Sequence, residues 1–248
     1  MRWLITIFFM LSTVWFTPDA MAASLPQRIA EFPRWFLATD LVREGDLRYP
    51  DWFAGEWTTT SILREQIAPA APDLVTPGFE QNKVNIDRPY IFQVRFGSTT
   101  NTVAPGITVA TDNSAVITSD RTFNGEQIAN AYLGGNAVKS IQTIHQPQIV
   151  QITQLQNGTE LRSTVSGYLS ESVGINDFAT TEIDQQIFQG KTTYLNTVET
   201  TTSYHLIDQH HIAANQVTAI YLSPQDPDYF RALQRPVALY RYTLELKS

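Results

Sequence analysis

The chain has 248 residues, 0 cysteines and a formal net charge of -7. An acidic chain without a basic cluster excludes nucleic acid and anionic membrane surfaces as partners, because both are bound through grouped Lys and Arg. The missing cysteines exclude a disulfide framework and a thiol nucleophile, and the length is enough for one domain with a core of its own.

Met1–Ala22 starts with Arg2, runs apolar from Trp3 to Phe16 and ends on Ala20-Met21-Ala22. That is the pattern of a secretory signal peptide cleaved after Ala22. Retention as an anchor is the alternative, but the run falls short of the ~20 apolar residues that a span needs. Residues 23–248 are then one exported domain, and loss of Arg2 and Asp19 leaves its charge unchanged.

In the arm from Pro26 to Leu47, Ile29, Phe32, Trp35, Phe36 and Leu41 are apolar at mixed spacing, and Pro33 interrupts any long helix. The arm is expected to strap over a core; a docking arm for a partner is the other reading. Tyr49–Gln66 is the stretch with most information. Pro50, Trp52 and Phe53 supply a plug, and Gly55-Glu56-Trp57 opens a strand in which Trp57, Thr59, Ser61 and Leu63 alternate with Thr58, Thr60, Ile62 and Arg64. Ala68–Gly78 reads as a loop. Pro89–Phe96 is a second strand, with Phe92, Val94 and Phe96 on one side and Ile91, Gln93 and Arg95 on the other. Short strand pieces follow at Ile107–Ala110 and Ala115–Thr118.

The period then changes. Asp120–Leu133 places Phe123, Ile128, Ala131 and Tyr132 at helical spacing before Gly134-Gly135. A short helix is predicted, capped near Thr122 or Asn124, either as a lid across a barrel mouth or as filler beside the sheet. Strands follow at Val138–His145, Gln148–Leu155, Glu160–Tyr168, Phe178–Phe188, Thr192–Leu206, Gln216–Leu222 and Pro236–Leu246, with Asn157-Gly158 as a two-residue hairpin turn. Pro224–Leu233 reads as a short helix with Phe230 and Leu233 facing inward. The fold class is therefore all-β. Roughly eight to ten strands with short turns must remove their edges, so a closed or nearly closed antiparallel up-and-down barrel with two or three short helices is expected. About eight strands enclose room for side chains or one small ligand.

Gly55-x-Trp57 behind an aromatic turn, a meander, and an Arg on the last strand resemble the lipocalin and calycin pattern. That resemblance implies a barrel floor closed by Trp57, with Arg241 (or, second, Arg162) packed on the indole. The chain departs from the pattern by having no Thr-Asp-Tyr turn motif and no disulfide. The leader, YPDWFAGEW and YLSPQDPDYFRAL also resemble an uncharacterised family of exported proteins of cyanobacteria and chloroplasts, a likeness that covers most of the mature chain. It implies the periplasm or thylakoid lumen and no mechanism.

Chemistry is sparse. His145, His205, His210 and His211 do not show metal spacing, although one calycin branch holds haem through a single His, which keeps His145 and His205 in view. No Gly-x-Ser-x-Gly, phosphate loop or calcium loop occurs. Gln225-Asp226-Pro227-Asp228 reads as a helix start before it reads as a cation site. The expectation is a non-catalytic binding or assembly protein without a required cofactor. Its apolar ligand (pigment, quinone or lipid) would lie against Trp57, Phe92, Val94, Val150, Ile152, Tyr240 and Tyr242. A filled scaffold that meets a photosynthetic membrane complex through Trp35, Phe36, Trp52 and Phe53 is the second reading, and a barrel enzyme such as an isomerase the third. Amino-terminal sequencing of the protein exported by its own host should read from Ala23; a start at Met1 would refute the cleaved leader.

Overall fold

Thr-rich alternation and frequent turn residues favour strands along most of the chain. The elements in chain order are α1 (Leu25–Ala30), β1 (Gly55–Ile67), β2 (Pro89–Ser98), β3 (Ile117–Ser119), α2 (Arg121–Leu133), β4 (Val138–Ile144), β5 (Val150–Leu155), β6 (Glu160–Ser172), β7 (Asp177–Gln189), β8 (Thr193–Asp208), β9 (His211–Leu222), α3 (Tyr229–Ala232) and β10 (Ala238–Lys247). The structure, a computed structural model, describes residues 24–98, 116–145, 147–232 and 235–248. The expected leader at 1–22, the expected strand at 107–110 and Leu233 lie outside the described residues.

All 10 strands form one sheet in the order β3-β2-β1-β10-β9-β8-β7-β6-β5-β4. It is an up-and-down meander in which β1 also pairs with β10, and it curls into a half-barrel. The two end strands, β3 and β4, are not neighbours, so the closed barrel expected from the sequence is corrected to an open one. The reason lies in the chain between them. β3 ends after 3 residues, and the Asp120 side chain then accepts from Phe123 N and starts α2. A helix therefore stands where another strand would have to pair. The cap is Asp120, not Thr122 or Asn124.

Those two residues dock the helix instead. The Asn124 side chain accepts from Arg95 N (2.7 Å) and donates to Arg95 O (3.1 Å), giving β2 the two bonds that a neighbouring strand would give. On the other side, Thr122 bonds Thr143 of β4 (2.9 Å), and Gln151 of β5 donates to Arg121 O (2.6 Å). Gly125 sets the approach: a Cβ there would stand 2.8 Å from Ile141 Cδ1 and 2.9 Å from Gln151 Nε2.

Cross-strand register fixes the inner face. Trp57, Thr59 and Ser61 oppose Val94, Phe92 and Tyr90 on β2; Thr59, Ser61 and Leu63 oppose Leu246, Leu244 and Tyr242 on β10. At one end an aromatic plug closes the interior. Fully buried Phe53 lies 4.9 Å from Tyr49 and from Phe96, and 5.0 Å from Tyr204, ring centre to ring centre. Trp57 is buried beside it and donates Nε1–H to Phe53 O at 2.8 Å. Gly55 has φ 125°, a backbone geometry that glycine alone adopts freely, which explains the Gly in Gly-x-Trp. The expected Arg241 partner is corrected. Arg241 belongs to the opposite, outer face, where it pairs with Glu65 (2.9 Å) and sits 5.3 Å over Phe32. Strand alternation points it away from the indole.

The arm straps the outer face of the sheet, as the sequence led us to expect. Trp35 packs on Val217, Ala219, Tyr221 and Leu239. Fully buried Glu199 anchors it, accepting from Arg28 (2.7 Å), Ala38 N (3.1 Å) and Tyr221 OH (3.1 Å).

Three local expectations change. The turn between β5 and β6 spans Gln156–Gly158, with Gly158 N bonded to Leu155 O (3.0 Å) and positive φ at Gly158 alone. β9 begins at His211, five residues before the expected start at Gln216, because His211–Asn215 pair with β10. Helix α3 is a single turn; it buries Ala232 and leaves Phe230 exposed. Among the described residues no helix is long and apolar enough to cross a membrane.

Trp57→Ala should destabilise the fold by about 3–5 kcal/mol, read as a lower urea midpoint with unchanged slope. Trp57→Phe, which keeps a ring but loses the bond to Phe53 O, should cost about 1–2 kcal/mol.

Candidate functional site

Inside the half-barrel lies a lumen of two lobes. One, of about 360 Å³, is walled by Phe92, Val94, Phe96, Leu244, Leu246 and Tyr204, with Thr59 and Ser61 between them. The other, of about 540 Å³, is walled by Ile149, Leu155, Leu161, Val165 and Phe188. Arg121, Gly125, Ile128, Gln151, Glu182, Asp184 and Thr200 border both. The inner face of α2 therefore forms the divide, with Ile128 as its apolar ridge. Tyr132, one helical turn further, stacks on Tyr90 at 4.4 Å and bonds Ser61 at 2.9 Å.

A polar rung crosses the lumen at its waist. Alternation along β7 points Thr180, Glu182, Asp184 and Gln186 inward. Arg121, on the first turn of α2, holds Glu182 through Nη1 (3.0 Å) and Asp46 through Nη2 (2.6 Å) and Nε (3.1 Å). Burial opposes this guanidinium's charge, yet the attraction and hydrogen bonds of Glu182 and Asp46 raise its pKa. Burial also raises the phenol pKa of Tyr49 and of Tyr132.

Asp184 differs from its neighbours. It borders both lobes and is half-buried between them. Burial, helped by the nearby charge of Glu182, pushes its pKa up from 3.8 to about 7, against the opposing pull of Arg121 and a hydrogen bond from Ser163 Oγ (3.1 Å). It can hold or release a proton inside the lumen near neutral pH.

The residues expected to line a ligand site divide accordingly. Phe92 and Val94 line the smaller lobe. Trp57 lies beneath it in the plug. Tyr240 and Tyr242 share a strand face with Leu244, but Tyr240 packs with Leu63, Phe79 and Ala238, and Tyr242 packs against that cluster. Val150 and Ile152 are corrected: Gln151 and Thr153 are the residues of β5 that reach the lumen, so their neighbours face outward. Among the described residues no histidine borders the lumen. His205 is exposed and pairs with Asp177 (2.7 Å), His210 bonds Ser248 (3.0 Å), His211 pairs with Glu245, and His145 is exposed. No group of three or more His, Asp or Glu is placed to hold a metal among the described residues.

Sequence reasoning missed the waist. Glu182 and Asp184, two apart in the strand FATTEIDQQIF, carried the signal that could have found it: two carboxylates on one face of a strand. A further hollow of about 540 Å³ lies outside the barrel under the arm, bordered by exposed Arg43 and Arg235. It lacks the convergent buried groups of the lumen.

The raised pKa fixes a pH dependence. Folded Asp184 binds its proton more tightly than unfolded Asp184, so its contribution is fully present below pH 3.8 and is lost as pH rises to about 7. Asp184→Asn removes this loss. Its urea midpoint relative to wild type should therefore be higher at about pH 8 than at about pH 5; an unchanged difference would show an ordinary carboxylate.

Comparison with known proteins adds one finding. No curated protein and no solved structure matches the chain. Residues 42–248, which hold the whole sheet, match the family described as Domain of unknown function (DUF6816), and the chain belongs to that family.

Proposed function

We propose that the protein is a non-catalytic binding protein that holds one small, largely apolar molecule in the lumen of its half-barrel. The observation that carries this reading is the lumen itself. Its lobes of about 360 and 540 Å³ combine aliphatic and aromatic walls with many hydroxyl and amide side chains, and with convergent charged groups at the waist. Binding would come from burying apolar ligand surface, worth about 25 cal/mol per Å² before the cost of association. The lipocalin likeness belongs to the same proposal. Trp57 at the closed end supports it, and the placement of Arg241 on the outer face does not.

Export to a periplasm or thylakoid lumen, in service of photosynthetic membranes, is the cellular half of the proposal. It rests on the leader pattern of Met1–Ala22 and on the likeness of YPDWFAGEW and YLSPQDPDYFRAL to exported proteins. The scaffold reading draws less support: Trp35 and Phe53 are buried, and only Phe36 of its four aromatics is strongly exposed.

Native mass spectrometry of the protein purified from its own host tests the proposal. A bound small molecule, released by organic solvent, is expected. An empty barrel that instead retains a protein subunit would replace the carrier with the scaffold.

A further inference from the structure

The lumen's charges are unequal. Among the described residues the charged side chains that border it are Arg121, Glu182 and Asp184. Arg121 is already committed: its Nε, Nη1 and Nη2 all donate to Asp46 or Glu182, so it offers little to an incoming anion. Asp46 and Glu182 together outweigh its single positive charge, and among the described residues no cation pairs with Asp184. One Asp184 oxygen accepts from Ser163 Oγ at 3.1 Å; no other hydrogen bond to this carboxyl occurs among the described residues. Asp184 borders both lobes, and Ser163 lines the larger one together with Leu161, Val165 and Phe188.

We infer that the ligand carries a protonated amine, seated on Asp184, with its apolar body along Leu161, Val165 and Phe188. This rests on the carrier reading above and goes beyond it by naming the head group. A cation supplies the missing charge and donates hydrogen bonds to the open carboxyl oxygen, an arrangement stronger than a neutral hydrogen bond. A carboxylate head would meet two acidic groups, with the one guanidinium already occupied. The raised proton affinity of Asp184, produced by burial and the charge of Glu182 against the pull of Arg121, agrees: an ammonium group beside it would favour the ionised form.

Titration calorimetry of the mature chain with decylamine, decanol and decanoate, each below its aggregation concentration, tests the head group. Decylamine should bind about tenfold or more tightly than decanoate, with decanol between them. In Asp184→Asn the amine preference should disappear while decanol still binds. Equal or tighter binding of decanoate overturns the inference, as does an amine preference that persists in Asp184→Asn. If that variant does not fold, the ratio measured on the wild-type chain decides alone. Decanol binding without an amine preference defeats the head-group assignment and leaves the carrier; failure of all three probes to bind removes the carrier with it.

Discussion

A curled sheet with two free edges makes a poor container. Its edge N–H and C=O groups look for partners, and its interior lies open on one side. Helix α2 meets part of both needs in the gap between β2 and β4, and the barrel stays open. The amide of Asn124 stands in for a strand by bonding Arg95 N and O. Gly125 removes the one Cβ that would hold the helix away from Ile141 and Gln151. A helix can extend the wall because it satisfies its own backbone and needs only a few side-chain bonds to each flank. It also brings side chains to the centre of the lumen that a strand at that position would have spaced differently: Arg121, Gly125, Ile128 and Tyr132 all fall on one face.

Arg121 shows how the wall and the interior are coupled. It begins α2, yet its partners come from elsewhere: Glu182 from the middle of β7 and Asp46 from the segment leading to β1. Three parts of the chain thus meet at one guanidinium. A buried ion pair of this kind contributes less net stability than its distances suggest, because each charge has left water. What it contributes is definition. The helix has one register in which its first turn can satisfy both carboxylates, and that register also presents Ile128 and Tyr132 to the lumen.

Much of the architecture was legible in the sequence. Period-2 alternation located the strands, and the change to helical spacing located α2. Gly55-x-Trp57 indicated the closed end, because a positive-φ glycine and an indole next to Phe53 leave a local signature. The inner face was not legible, for a physical reason. The arm buries the outer face of β7 to β10, so Glu199 and Thr201 outside are as buried as any residue inside. Alternation then separates two buried faces instead of a wet one from a dry one, and hydrophobicity stops being a guide; β5 shows the cost, since its apolar Val150 and Ile152 point outward and its Gln151 and Thr153 point in. Closure was misjudged because an edge filled by a helix reads, residue by residue, much like a lid over a finished barrel. The waist went unseen because Glu182 and Arg121 are 61 positions apart, and nothing local pairs them.

The carboxylate of Glu199 has a consequence beyond anchoring the arm. Beside it the outer sheet offers the apolar cluster of Val217, Ala219 and Leu239. One acid beside such a cluster makes it unwelcoming to any visitor that cannot bring a matching base, as the arm does with Arg28. The chain thereby keeps that face for its own leading segment: a stranger's hydrophobic patch would leave this charge with only the hydroxyls of Thr201 and Tyr221 and no cation.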